Sequence, residues 1–126
     1  MSFDQLFIRD VEGERRVAAS ELPLRVGTSA ESDLRLPGPG GGPVVLLDLL
    51  DGKPFAQPVG RDSGLLLNGE PLTTSRRLEE GDVFQFYGSR ILVSMADGRL
   101  VFQVRLEDSA YVTRPPELAE ESAAVA

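Results

Sequence analysis

The sequence predicts an all-β domain, in which short antiparallel strands form a two-layer sandwich. Apolar residues come in short alternating or continuous runs, and turn residues interrupt these runs about every ten positions. No segment before Asp108 has the apolar period of about 3.6 residues that a helix would show. The chain has 126 residues, 41% of them hydrophobic, which suffices for one domain with a buried core.

The individual strands follow from the polarity pattern and from turn chemistry. Three pairs of turn residues, at positions 51–52 (Asp-Gly), 68–69 (Asn-Gly) and 97–98 (Asp-Gly), separate apolar runs. Both residues of such a pair tolerate the positive φ that a tight hairpin turn requires. The predicted strands are residues 6–8, 16–18, 22–26, 34–36, 44–50, 53–56, 65–67, 83–86, 90–95 and 100–106.

Two further segments are defined by their residue types. In the last predicted strand, Phe102, Val104 and Leu106 take every second position, which places them on the core face. Residues 37–43 (PGPGGGP) cannot extend a sheet, because proline removes hydrogen-bond donors and glycine removes steric limits. We therefore expect a loop at 37–43.

The composition excludes several classes of function. The chain has no cysteine and no histidine, which removes thiolate and imidazole metal sites together with Cys-His and Ser-His catalysis. Its net charge of −7 argues against nucleic acid and anionic membrane surfaces as partners. No window approaches the roughly 18 apolar residues of a membrane helix. We expect a protein partner, no enzymatic activity, no cofactor and no metal.

The two ends of the chain suggest its location and its domain boundary. Residues 1–10 carry charges and no long apolar run, so the pattern lacks an export signal and indicates the cytoplasm. Residues 1–108 are expected to form the domain. Residues 109–126, rich in proline, alanine and glutamate, are expected to be an acidic, flexible linker or tail. Such a linker suggests a fragment of a longer protein.

Four motifs together resemble a forkhead-associated (FHA) domain. They are a strand ending in glycine at 24–27 (LRVG), an acidic and apolar strand at 32–36 (SDLRL), a turn-strand-turn at 60–69 (GRDSGLLLNG) and the phrase LEEGDV at 78–83. No single motif is specific, but their order and spacing match the family over about residues 22–93. The resemblance implies a β-sandwich of the SMAD/FHA type.

FHA domains typically read phosphothreonine through arginine, serine and asparagine side chains, and this chain departs from the family at those positions. Thr28 stands where the family has arginine, and the run 40–43 (GGGP) replaces a Ser-x-x-His loop. Ser63 and Leu65 stand where the family has asparagine and threonine. A dianionic phosphate needs cations or several polar donors. The sequence therefore predicts a retained scaffold that lacks the family's ligand chemistry.

The resemblance implies a peptide-binding face on the loops, and its residues allow competing interpretations. The hydroxyls of Thr28 and Ser29 could contact a ligand or satisfy their own backbone. Arg61 could hold a phosphate or be a solvated loop residue. The glycines of the run 40–42 could approach a ligand through their backbone N–H groups or form only a flexible loop. Asn68 could contact a ligand or only stabilise its own hairpin turn. The candidate residues are Thr28, Ser29, Gly41, Gly42, Arg61, Asp62, Ser63 and Asn68.

Two charged segments outside this face have simpler interpretations. Arg76 and Arg77 form a small basic spot, and we expect them to pair with Glu79 or Glu80 on the surface. Asp82 is expected to accept backbone hydrogen bonds at the turn before the predicted strand 83–86.

Tyr87, which follows this predicted strand, is expected at the rim of the core.

Three functions remain open from the sequence. The first is a non-catalytic interaction module that binds a protein partner, or neighbouring domains of its own polypeptide, without phosphate. The second is a phosphothreonine reader with an atypical pocket built from Arg61, Thr28 and backbone donors. The third is an oligomerisation or regulatory domain in the cytoplasmic part of a larger, membrane-anchored bacterial protein.

Overall fold

The computed structural model describes residues 2–39, 42–60 and 63–106. Short strands dominate this part of the chain, and short 3-10 helices occur at Ala19–Glu21 and Ala96–Gly98. The strands are β1 Gln5–Asp10, β2 Gly13–Ala18, β3 Leu24–Gly27, β4 Leu34–Arg35, β5 Pro43–Leu50, β6 Lys53–Pro58, β7 Leu65–Leu67, β8 Glu70–Pro71, β9 Arg76–Arg77, β10 Val83–Phe86, β11 Ser89–Ser94 and β12 Val101–Leu106.

These strands form two sheets that pack face to face, which confirms the predicted β-sandwich. The larger sheet has the order β2-β1-β12-β11-β10-β7-β8, and the smaller sheet has the order β4-β3-β5-β6-β9. One core cluster contains residues from both sheets, among them Phe84, Phe86 and Phe102 from the larger and Leu24 and Leu47 from the smaller.

Each sheet contains one parallel pair, where the sequence suggested antiparallel strands throughout. In the larger sheet β1 runs parallel to β12, so the first and last of the described strands are neighbours. In the smaller sheet β4 runs parallel to β3. The cause at β4 is Asp33, whose N–H donates to Arg25 O (2.8 Å) while its carboxylate accepts from the Arg25 N–H (2.9 Å). These bonds return the chain to β3, so β4 follows it in the same direction.

The predicted hairpin turns have the backbone geometry that their residues favour. Asp51 and Asn68 have φ values of +55° and +54°, and the glycines that follow them, Gly52 and Gly69, have +77° and +86°. Asparagine, aspartate and glycine are the residues that adopt this left-handed region most readily. Local sequence therefore determines where these hairpins turn.

The last strand follows the predicted alternation except at its end. Phe102 and Val104 are buried, as expected, but Leu106 is 45% exposed. The placement of Leu106 on the core face was wrong, because the strand ends at the rim of the sandwich, where Leu106 lines a cleft instead.

Candidate functional site

Four connections meet at one end of the sandwich, which we call the loop end. It comprises the described parts of the β3–β4 connection (28–33), the β4–β5 connection (36–42), the β6–β7 connection (59–64) and the turn 87–88 between β10 and β11. The sequence resemblance implied a peptide-binding face on loops of this kind. The contacts that hold the loop end together fall into two groups.

The first group joins the β3–β4 and β4–β5 connections through backbone contact. The N–H of Thr28 donates to Gly42 O at 3.1 Å. At Gly27, a Cβ atom would lie 2.3 Å from Gly42 O and 2.5 Å from Pro43 Cα, which leaves no room for a side chain. Gly27 is thus required for the close approach of the two loops.

The second group surrounds Tyr87, which occupies the turn between β10 and β11. Its ring stacks edge-on against Phe86, with centroids 4.7 Å apart, and is 55% exposed. Cβ atoms built at Gly38 and Gly64 would lie 3.5 Å and 3.1 Å from the ring. Tyr87 therefore lies at the rim, as predicted, and connects the β4–β5 and β6–β7 loops with an exposed aromatic surface.

The side chain of Thr28, the residue that the sequence resemblance sets against an arginine of FHA domains, is buried. Only 8% of the residue is exposed, and within the described residues its Oγ1 has no hydrogen-bond partner. The expectation that this hydroxyl satisfies its own backbone was wrong, because the buried Oγ1 forms no hydrogen bond with any described backbone group. The hydroxyl of Ser29 instead lies 3.2 Å from Ser32 Oγ.

A cleft of about 430 Å³ opens beside Thr28. Apolar surface dominates it, and the cation in its lining is Arg35, whose Nε donates to Thr28 O at 3.2 Å. The lining residues are Thr28, Arg35, Leu36, Pro37, Gly38 and Leu106. Sequence reasoning missed Arg35, although the alternation of Leu34, Arg35 and Leu36 placed its side chain outside the core.

Of the remaining predicted site residues, some lie at the loop end and others do not. Gly42 lies at the loop end through its contact with Thr28, and Ser63 Oγ accepts the Leu65 N–H at 3.3 Å within the same region. Asn68 does not join them, because the strand β7 separates it from Ser63. The candidates Gly41, Arg61 and Asp62 lie outside the described residues.

Asn68 instead fixes a turn, as one interpretation of the sequence predicted. Its Oδ1 accepts the Val83 N–H at 2.9 Å, and its Nδ2 donates to Asp82 Oδ1 at 3.0 Å. The other carboxylate oxygen of Asp82 accepts the Glu79 N–H at 2.8 Å, which confirms the turn role expected for Asp82.

Hydrogen bonds from arginines control the ionisation of two carboxylates. The main-chain N–H of Arg25, and then its guanidinium, lower the pKa of Asp33 below the ordinary value of 3.8. Hydrogen bonds from Arg9 and Arg99 lower the pKa of Glu14, on the far edge of the larger sheet. Asp33 therefore carries a stable negative charge where β4 begins, near the loop end.

The described residues form neither a cluster of metal ligands nor a membrane-spanning helix. Within residues 2–39, 42–60 and 63–106, no three acidic side chains come together in a way that could hold a metal ion. In the same residues, no helix is long and apolar enough to span a membrane.

Comparison with known proteins identifies the fold. No protein-family model and no curated protein matches the sequence. Among solved structures, Mycobacterium tuberculosis EmbR in complex with a low affinity phosphopeptide is similar at a TM-score of 0.55 and 13% identity, over 82% of this chain and 24% of that chain. The Rv0020c FHA structure is similar at a TM-score of 0.49 and 16% identity, over 73% of this chain and 83% of that chain.

The chain therefore has an FHA-like β-sandwich fold. At 13% identity the similarity to EmbR concerns the fold alone, and this chain spans about a quarter of the EmbR chain. The phosphopeptide in that complex is a ligand of EmbR. What this chain binds has to be argued from its own loop end.

Proposed function

We propose that this chain is a non-catalytic protein-interaction module whose loop end binds an extended segment of a protein partner without requiring phosphate. The observation that carries the proposal is the buried side chain of Thr28 at the end of β3. The buried Thr28 side chain carries no charge, and its main-chain N–H and C=O are already bonded to Gly42 O and Arg35 Nε. Thr28 therefore offers no cation to a phosphate.

The chemistry of the loop-end cleft supports a ligand of low charge. A phosphate dianion is desolvated on binding and needs several charge-assisted hydrogen bonds to offset that cost. In the described residues, the cleft offers one cation, Arg35, among the apolar side chains of Leu36, Pro37 and Leu106. An apolar side chain of an extended peptide fits this lining better than a phosphate does.

Tyr87 supplies a second element that suits a peptide. One edge of its ring lies against Gly38 and Gly64, and more than half of the residue remains exposed. Exposed aromatic side chains provide large contact area with little loss of conformational entropy, and they are enriched at protein interfaces. We assign Tyr87 to the peptide-contacting surface together with the cleft.

Arg35 favours a second candidate, a phosphothreonine reader with an atypical pocket. A guanidinium has five N–H donors, and Arg35 uses its Nε on Thr28 O. Its terminal nitrogens make no other hydrogen bond or ion pair with the described residues and are free to hold an anion. This candidate requires that removal of Arg35 abolishes binding of phosphopeptides.

The test is an array of peptides that contain threonine or phosphothreonine at a fixed central position, probed with the full chain. We expect signals that do not depend on phosphate and are lost with Tyr87→Asn, which removes the ring and tolerates the φ of +54° at this position. Arg35→Ala should leave them nearly unchanged. Signals restricted to phosphopeptides and lost with Arg35→Ala would establish the second candidate instead.

A further inference from the structure

A second cleft, of about 300 Å³, lies at the opposite end of the smaller sheet. Its side chains come from the β5–β6 hairpin and from the segment around β9, chiefly Leu50, Lys53, Phe55, Arg76 and Arg77. The eight residues of β5 separate this cleft from the loop end, and a strand of that length spans about 23 Å. A ligand in this cleft would therefore be distinct from one at the loop end.

The strand register places Leu50, Lys53, Phe55 and Arg77 on one outer face, whereas Arg76 is paired with the buried Ala56 and lies on the other face of β9. Leu50 is paired with Lys53 across the hairpin, and Phe55 is paired with Arg77 of β9. Paired residues of neighbouring strands point to the same face of a sheet. Leu50 is 64% exposed, so the face presents a large aliphatic side chain to solvent beside two cations.

Asp48 also lies on this outer face, opposite Phe55, but its carboxylate accepts the N–H of Leu49. In the described residues, Lys53, Arg76 and Arg77 make no ion pair, and the cleft lining contains no carboxylate. The sequence suggested that Arg76 and Arg77 would pair with Glu79 or Glu80. The structure corrects this, because the carboxylate of Glu80 instead accepts the N–H of Met95.

The position of β9 leaves the cleft open on one side. This two-residue strand is the outer strand of the smaller sheet, after β6. In the described part of the chain no further strand covers it. Outer strands can receive an additional extended segment, which gains main-chain hydrogen bonds while its side chains enter neighbouring pockets.

We infer that this cleft binds an extended acidic segment of a protein partner, with one large apolar side chain between its carboxylates. The apolar side chain packs on Leu50 and Phe55, and the carboxylates pair with Lys53 and Arg77. On this face Lys53 and Arg77 make no ion pair within the described residues, and two such cations in a chain of net charge −7 are a local feature that an acidic ligand complements. A second copy of this chain carries the same net charge and is repelled.

The chemistry of the cleft also argues for protein over nucleic acid. A phosphodiester backbone carries no group that would fill the space beside Leu50, Pro54 and Phe55. Nucleic-acid affinity also relies on many neutralised phosphates, which a chain of net charge −7 opposes.

The test measures fluorescence anisotropy of a labelled probe peptide, EELEELEE, with the full chain, and uses KKLKKLKK as the reversed-charge control peptide. The variant Lys53→Glu with Arg77→Glu should bind the probe about tenfold more weakly or worse. The matched control, Arg16→Glu with Arg105→Glu on the larger sheet, makes the same charge change and should leave binding unchanged. Leu50→Ser, an exposed and mild substitution, should also weaken binding.

Three results would overturn the inference. Equal weakening by the control variant would show that only net charge matters. Tighter binding of a short DNA duplex than of the probe, lost with the cleft variant, would assign the cleft to nucleic acid. Tighter probe binding by Glu117→Lys with Glu120→Lys would assign the cleft to this chain's own acidic segment.

Discussion

The side-chain amide of Asn68 donates a hydrogen bond to the carboxylate of Asp82 across 3.0 Å and connects two turns of the larger sheet that lie 14 residues apart in sequence. The carbonyl oxygen of the same side chain accepts the Val83 N–H, and Asp82 accepts the Glu79 N–H. In this way the turn after β7 fixes the turn before β10. The family resemblance implied a contact with ligand at Asn68, but these bonds give it a structural role.

Two substitutions of Asn68 separate its hydrogen bonds from its backbone conformation. Asn68→Gly removes both side-chain bonds but keeps the positive φ of +54°, and should lower the free energy of unfolding by about 1–2 kcal/mol. Asn68→Ala adds the strain of a left-handed alanine and should cost about 1 kcal/mol more. Urea denaturation measures both. Equal stability of the two variants would contradict the assigned conformation.

The contact between Gly27 and the β4–β5 loop predicts a large effect of one added methyl group. In Gly27→Ala the Cβ would lie 2.3 Å from the oxygen of Gly42, and this clash with backbone should cost about 3 kcal/mol or more. The matched control is Gly42→Ala, whose Cβ would meet no atom within 4 Å and should change stability by less than about 0.5 kcal/mol. Similar thermal midpoints for the two variants would disprove the close approach.

The hydroxyls of Thr28 and Ser89 are buried, and we expect that removing either one does not lower the free energy of unfolding. Within the described residues, neither oxygen has a hydrogen-bond partner, so each is a polar group buried without compensation. Thr28→Val and Ser89→Ala should leave the free energy of unfolding unchanged or raise it by up to about 1 kcal/mol. The control is Ser63→Ala, which loses the bond to the Leu65 N–H and should be less stable. A clear loss of stability in Thr28→Val would mean that its hydroxyl is bonded in solution.

The lowered pKa of Asp33 predicts a pH-dependent contribution to stability. Because its folded pKa lies below its ordinary value of 3.8, ionised Asp33 stabilises the fold at neutral pH, and this contribution is lost as the pH falls through the folded pKa. Asp33→Asn keeps an acceptor for the Arg25 N–H but removes the charge. With the Asp33 side chain 36% exposed, solvent screening limits the expected loss at pH 7 to about 1 kcal/mol or less.

Denaturation across a pH series checks this prediction. The difference between wild type and Asp33→Asn should shrink as the pH falls below 3.8 and the wild-type carboxylate becomes protonated. Glu31→Gln is the control, because this exposed carboxylate makes no hydrogen bond or ion pair with the described residues. A difference that stays constant with pH would show that the charge of Asp33 does not stabilise the fold.

The sequence predicted the features that depend on neighbouring residues. Asp51-Gly52 and Asn68-Gly69 turn where expected, because positive φ is a local preference of those residues. The alternation in β12 correctly placed Phe102 and Val104 in the core. The exposure of Leu106 was missed, since the pattern does not show where the facing sheet ends.

Features that depend on distant parts of the chain were not predictable. The parallel pairing of β1 with β12 brings together the first and last described strands of the chain. The residues of neither strand indicate which other strand it pairs with. At the candidate site, we predicted a role for the hydroxyl of Thr28, which is buried in the structure. We did not predict a role for Arg35, which lines the cleft. Arg35 joins the site because the loop before it folds back onto β3, and that depends on the bonds of Asp33 to Arg25.

Two affinities test most directly whether the loop end binds protein without phosphate. They are the affinities of the chain for a threonine peptide pool and for the same pool with phosphothreonine. The full chain is titrated by fluorescence anisotropy with a labelled degenerate peptide pool that has a fixed central threonine, and with the same pool carrying phosphothreonine. We expect saturable binding of both pools, with half-saturation concentrations that agree within about threefold. Micromolar binding of the phosphothreonine pool alone, more than about tenfold tighter than the threonine pool, would contradict it.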